Sequence, residues 1–167
     1  MTVTDPVDPD LYRSTVARLP AGVAVVALLW RGTQHAMTAS AIASVSLDPP
    51  LLMFCVHSDA RVRDALDDVD TWAVSVLSDT QGSTADWLSS PGRPAVGQLD
   101  RVPHRDAPVS GAAWLDGAAA WFDCRTFAVH PAGDHDIVVG TVLAAQQGAP
   151  AAGGLVHLRG RVHGVRG

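Results

Sequence analysis

The sequence predicts a single mainly β domain over residues 1–167, an antiparallel barrel with short peripheral helices. Three observations carry this. Six or seven apolar, β-rich runs stand against three short helical stretches. Most of those runs are joined by turns rather than by crossover helices, which favours an antiparallel over an alternating α/β fold. A chain of 167 residues with 47% hydrophobic and 17% charged side chains can bury one core and is too apolar to stay disordered.

Asp8-Pro9-Asp10 can cap a helix over Leu11 to Leu19, which Pro20 and Gly22 end. Val23 to Trp30 is a β-rich run that turns at Arg31-Gly32-Thr33 into a second strand, Gln34 to Ser40. A Ser/Thr-rich turn is expected next, closed by Leu47-Asp48-Pro49-Pro50, where two prolines remove two donors. Leu51 to Val56 is a wholly apolar strand suited to a sheet centre. Ser58 or Asp59 caps a helix through Asp68, and Trp72 to Leu77 is a strand. Ser78-x-x-Gln81 reads as a capping box opening a helix to Leu88. Ser89 to Ser110 carries four prolines and is expected to be a long, lid-like loop. Ala118 to His130 and His135 to Ala145 are strands flanking the turn Pro131-Ala132-Gly133-Asp134, and Leu155 to Val162 is the last strand.

Composition removes several chemistries. All 17 acids are Asp, all 12 bases are Arg, and Lys, Glu and Asn are absent. A P-loop lysine, a Schiff-base lysine, a His-Glu-x-x-His zinc helix and a glutamate base are therefore excluded. A net charge of −5 with scattered arginines argues against nucleic-acid binding, which needs clustered cations. The run Val23–Trp30 is far short of the roughly 20 residues of a membrane helix, and the Asp-rich start does not read as a signal peptide. Cys55 and Cys124, 69 positions apart in apolar segments, read as reduced thiols of a cytoplasmic protein. His130 and His135, or His157 and His163, lack metal-ligand spacing, so no metal site is expected. Neither Gly-x-Ser-x-Gly nor Gly-x-Gly-x-x-Gly occurs, which leaves out the usual nucleophile elbow and the Rossmann turn.

Three segments remain. Met37 to Leu51 is small, hydroxyl-rich and glycine-free, so a flat ligand can approach its main chain, although from the residues alone a plain strand followed by a Ser/Thr-rich turn is the better account, as Ser and Thr are common at strand ends. Cys55 to Arg63 runs from strand to helix with a hydroxyl and two arginines, suited to a phosphate or to a plain N-cap with solvated arginines. Gly133-Asp134-His135 is expected hairpin chemistry, with His135 opening a strand.

In this order the segments resemble the flavin reductase-like family. The resemblance rests on Leu19-Pro20-Ala21-Gly22-Val23-Ala24-Val25-Val26, Met37 to Leu51, Cys55-Val56, Trp72 to Leu77, Gln81 and Gly133-Asp134-His135-Asp136-Ile137-Val138-Val139-Gly140-Thr141-Val142. It implies a Greek-key antiparallel split β-barrel and an NAD(P)H:flavin oxidoreductase, with FMN or FAD held near a homodimer interface. NADH or NADPH would be the hydride donor, and a flavin-dependent monooxygenase the partner that receives reduced flavin. Thr38, Ala39 and Ser40 would bond the isoalloxazine edge largely through main chain, beside Met37. Ser46 and Leu47, with Val45, would line the ribityl chain and ring, and Cys55 and Val56 the adjacent strand. Ser58 and Arg61 would contact phosphate, and His135 would border the nicotinamide subsite as the catalytic candidate. Hydride transfer between stacked rings asks little more than positioning of the protein. Ala36 stands where the family has glycine, Trp87 where it has Phe, and Leu158 and Val162 where an aromatic often covers the flavin. A flavin carrier or sensor, and a deazaflavin-using oxidoreductase, are the rival readings.

Overall fold

A computed structural model of the chain describes residues 6–166. The ends of the expected domain, Met1–Asp5 and Gly167, lie outside the described residues. In chain order the elements are α1 (Pro9–Val16), β1 (Ala21–Gly22), β2 (Ala24–Trp30), β3 (Thr33–Ala39), β4 (Ile42–Leu47), β5 (Pro50–His57) and α2 (Arg61–Ala65). They continue as β6 (Thr71–Val76), α3 (Gly82–Ser89), β7 (His104–Asp106), β8 (Ala113–Leu115), β9 (Ala120–Ala132), β10 (His135–Gln147), β11 (Gly154–Leu158) and β12 (Arg161–Val165).

Seven strands form one antiparallel sheet in the order β3-β2-β6-β9-β10-β5-β4. Within it β5, β6, β9 and β10 lie side by side as β6-β9-β10-β5, a Greek key. The two edges, β3 and β4, are consecutive in sequence and joined only by Ser40-Ala41. That link spans at most about 11 Å, so the sheet must curl until its edges meet at that corner. The edges are not paired by a ladder, and the barrel is split rather than closed. A second sheet, β1-β11-β12, and the β7-β8 hairpin complete the fold.

Burial explains the sequence pattern. Val23 to Leu28 are buried on both faces, which is why β2 reads as a continuous apolar run instead of alternating. Ala24, Val26 and Leu28 face the barrel interior with Phe54, Trp72 and Val138. Val23, Val25 and Ala27 face a second core closed by α3 and the 99–118 segment. The β2–β3 loop is Arg31-Gly32, both at positive φ, the geometry of a two-residue type I′ hairpin. Asp8 caps α1 through the main-chain N–H groups of Asp10 and Leu11, as the sequence predicts.

Several boundaries move. The α1 helix stops at Val16 and α2 at Ala65, short of the expected Leu19 and Asp68. Neither Ser58 nor Asp59 caps α2; its N-cap is Ala60, which makes no side-chain cap. At α3 only half of the capping box forms: Gln81 Oε1 accepts the Ser78 N–H at 3.0 Å, while Gln81 is itself the N-cap. The expected Ser/Thr-rich turn is strand β4, and the long loop contains β7, whose partner β8 follows it. Pro131 and Ala132 extend β9, and the last strand splits at Arg159-Gly160, both at positive φ.

Three β-bulges interrupt the large sheet. Val45, Phe127 and Leu143 are each the unpaired extra residue, and each is apolar and exposed, at 50%, 64% and 39%. No helix among the described residues is long and apolar enough to cross a membrane.

Candidate active site

Of the residues singled out in the sequence, Met37, Arg61, Cys55, His135, Thr38 and Ser40 line three clefts, and Val45, Ser46 and Leu47 lie along the β4 edge. The first cleft forms where the expected lid meets edge strand β3. Ala36 sits at the free edge, and side chains of the 91–98 segment take the place of a neighbouring strand. Its N–H donates to Gln98 Oε1 at 3.2 Å, and its carbonyl accepts from Arg93 Nη2 at 2.8 Å. Arg93 Nη1 also donates to Ser90 O at 3.1 Å. Ala36 is thus packed by its methyl into the second core while its main chain is strapped from outside.

Beneath the strap lies a cleft of about 350 Å³ lined by His35, Met37, Asp59, Arg61, Arg93 and Gln98, among others. His35 is 6% exposed. Its Nδ1 and the Nε of Arg93 are buried without a hydrogen-bond partner. Burial, and then the charge of Arg61, hold the His35 imidazole below its ordinary range, so it is neutral near pH 7. The same two causes act downward on Arg93.

The second cleft, of about 520 Å³, lies between α1 and the paired ends of β5 and β10. The register His135↔His57 and Ile137↔Cys55 sets His135, Ile137 and Cys55 on one cleft with Tyr12 and Val16. His135 Nδ1 is 2.7 Å from Asp134 Oδ1. Donation from Nδ1 leaves Nε2 open to the cleft. That bond and the imidazole's charge hold the Asp134 carboxyl below the usual carboxylate range. The His57 ring meets His135 edge-on at 5.2 Å. This geometry follows from the β9–β10 loop Gly133-Asp134, with Gly133 at positive φ, as a type II′ hairpin requires.

The third cleft, about 230 Å³, holds Thr38 and Ser40 with Val23, Asp86, His157 and Val162. The Thr38 hydroxyl is engaged, donating to Ala85 O at 2.7 Å. Ala39 points into the barrel interior. Strand alternation therefore separates Met37 from Thr38 and Cys55 from Val56. Val56 is fully buried and lines none of the three clefts. Val45, Ser46 and Leu47 lie along β4, outside these clefts, with Val45 and Leu47 exposed. Ser58 is exposed and its N–H donates to Asp134 O at 3.0 Å.

The two candidate arginines separate cleanly. Arg63 bonds Asp67 at 2.6 Å and also Asp136, tying α2 to β10. Arg61 is exposed and makes no side-chain hydrogen bond among the described residues, although Asp59 lines the same cleft with Arg93 and His35. The five-residue α2 adds little dipole to this. His35, Arg93 and Gln98 were not legible as site residues, because each is brought in by long-range packing, whereas His57 and Asp134 lie within segments the sequence singles out but carry no role there. Among the described residues no group of three or more His, Cys or Asp is placed to hold a metal.

Residues 16–166 match the family described as "Flavin reductase like domain". The chain belongs to the flavin reductase-like family. It is similar to a protein named NADH-dependent FAD reductase from Streptomyces globisporus, 36% identical over 161 residues, with 95% of this chain and 87% of that one covered. Among solved structures it resembles the NADH:FAD oxidoreductase SgcE6 of Streptomyces globisporus C-1027 in complex with NAD and FAD fragments. The TM-score is 0.88 at 34% identity, covering 98% and 96% of the two chains. BorF, the flavin reductase component of a bacterial two-component tryptophan halogenase, gives a TM-score of 0.89 at 35% identity, covering 96% and 99%. The split Greek-key barrel described above is the fold these flavin reductases share.

Proposed function

We propose that this flavin reductase-like chain is a cytoplasmic NAD(P)H:flavin oxidoreductase that reduces FMN or FAD and passes reduced flavin to a partner monooxygenase. One observation carries the reading most. Met37 to Leu47, matched to the family's flavin contacts, runs along a continuous rim from β3 through Ser40-Ala41 to β4, whose outer edge is unpaired. Open main-chain donors and acceptors suit the heteroatoms of a flat ring.

Bound flavin supplies the hydride acceptor. The chain's own part is positioning: Thr38, Ala39 and Ser40 hold one ring edge, Ser58 and Arg61 meet phosphate, and Cys55 lines the neighbouring strand. His135, oriented by Asp134, presents Nε2 to the nicotinamide side. Arg61 and Arg93, which share one cleft and have no carboxylate partner among the described ion pairs, suit an anionic ligand. The exposed bulge residues Val45, Phe127 and Leu143 support a homodimer that covers them; sedimentation equilibrium measures this, and a monomer at all concentrations removes it.

Oxidation of NADH and NADPH with FMN and FAD tests the activity. Turnover with at least one pair is expected, and none with any pair refutes the reading. Tight flavin binding without hydride acceptance would leave the carrier reading. His135→Ala is expected to raise the nicotinamide KM; unchanged KM and kcat would remove its role.

A further inference from the structure

We infer that His57 is a positioning residue, whose ring holds the His135 imidazole in one orientation so that Nε2 stays turned to the second cleft. The inference rests on the reductase reading, in which His135 meets the hydride donor. It adds a residue to which that reading gives no part.

The hydrogen bond of His135 does not fix its side chain unaided. Nδ1 pairs with Asp134 Oδ1 at 2.7 Å, but the two side chains are 44% and 80% exposed. A polar pair this open to solvent is worth little and is screened by salt. Among the described residues no other side chain hydrogen-bonds this imidazole, and one bond at one nitrogen leaves the ring free to swing about it. Tyr12 and Arg13 share the cleft, yet Arg13 is turned to Asp10 at 3.2 Å.

His57 supplies the second constraint. The β5–β10 register sets it directly opposite His135. The rings meet at 5.2 Å between centroids, with 70° between their planes. An edge-to-face pair resists movement of either ring, because a swing loses the contact or drives edge into face. Such a contact fixes its neighbour only if it is itself fixed, and His57 is. Its Nδ1 accepts the Asp59 N–H at 3.1 Å, which leaves its own proton on Nε2. The Ser58 N–H donates to Asp134 O at 3.0 Å. The turn that carries His57 is therefore tied through main chain to the hairpin that carries Asp134. Asp134 sets the tautomer of His135, and His57 sets its rotamer. His57 is exposed and belongs to neither core, so packing of the interior does not account for the contact.

Three substitutions separate the ring contact from the turn contact. His57→Ala removes both. His57→Phe keeps a ring edge and offers Asp59 no acceptor. His57→Asn keeps an acceptor that reaches the main-chain N–H two residues on, as in an Asx turn, and has no ring. Scalar couplings about the Cα–Cβ bond of His135 are read by NMR on protein free of flavin and nucleotide. The parent and His57→Phe should show a single staggered rotamer, and His57→Ala and His57→Asn averaged values. In turnover, His57→Ala and His57→Asn should raise the nicotinamide KM about two- to tenfold, the range that an aromatic pair contributes. The flavin KM should stay where it is, and His57→Phe should restore most of the loss. Averaged couplings in the parent, rescue by Asn in place of Phe, or an unmoved nicotinamide KM in His57→Ala overturns the proposal. A parent that oxidises neither nucleotide with either flavin, yet shows this pattern of couplings, refutes the reductase reading and upholds the positioning of His135.

Discussion

Gly140→Ala tests the packing that sets β10 against the barrel interior. Trp72 is fully buried, donates from Nε1 to Thr126 Oγ1 at 3.1 Å and meets Phe54 edge-on at 4.8 Å. Its indole lies over Gly140. A Cβ there would stand 3.0 Å from Cη2 and 3.1 Å from Cε2, and nearer still to Cζ2. Carbon atoms in good contact are about 3.5–4.0 Å apart. The ring must therefore shift by roughly 1 Å in a close-packed interior, or the strand must bow. Overpacking of this kind costs about 1–3 kcal/mol. At this chain length that corresponds to a Tm lower by roughly 2–12 °C. Urea denaturation followed by far-ultraviolet circular dichroism measures it without relying on fluorescence from five tryptophans. Trp72→Phe removes the clashing atoms, so the alanine should cost less in that background, with a coupling of about 1 kcal/mol or more. A cost within about 0.5 kcal/mol of zero, or additive single and double variants, would refute the argument.

Arg63→Ala should destabilise the fold by about 1.5–3 kcal/mol, because Asp136 is nearly buried and loses its charged partner; adding Asp136→Asn should recover part of the loss, read as the urea midpoint. Trp30 Nε1, at 2.7 Å, and then Arg31 hold the Asp68 carboxyl low. A depressed carboxylate contributes stability above its unfolded pKa that is lost as pH falls through the folded value. Asp68→Asn should therefore flatten the decline of stability below about pH 4, and an unchanged slope would contradict this. Burial, and then Asp123, push the Cys124 thiol up to about 12, while Cys55 is half-exposed. A thiol reagent at mildly alkaline pH should label one cysteine in the folded protein and two in denaturant; two rapid labels before unfolding would show that Cys124 is accessible.

The parts of the fold legible in the sequence are those fixed by local chemistry. Asp8 before Pro9, Gly32 after a β-rich run and Gly133 before Asp134 each specify a cap or a hairpin without help from afar. β4 was hidden because an edge strand with most of its side chains exposed shows no apolar alternation, and its pairing comes from the β5 backbone. β7 and β8 have three residues each, too few for any period to register. The site was legible where a strand orders it, as at Cys55 and His135, two strands brought into register. It was not legible where a loop crosses to a strand 57 residues away, as when Arg93 reaches Ala36. Likewise Arg61 and Arg63 are equivalent in sequence, and only the acids packed against the second distinguish them.

The strap over β3 has a consequence for how this protein meets copies of itself. An open sheet ends in two rows of unpaired main-chain groups, each a template on which another chain can add a strand. The β4 row is interrupted by the bulge at Val45. The β3 row is occupied at Ala36 by Gln98 and Arg93. Lifting the 91–98 segment would expose that second row to strand addition. Any substitution that loosens it therefore trades a local opening for a route to association, and soluble yield should fall before stability does.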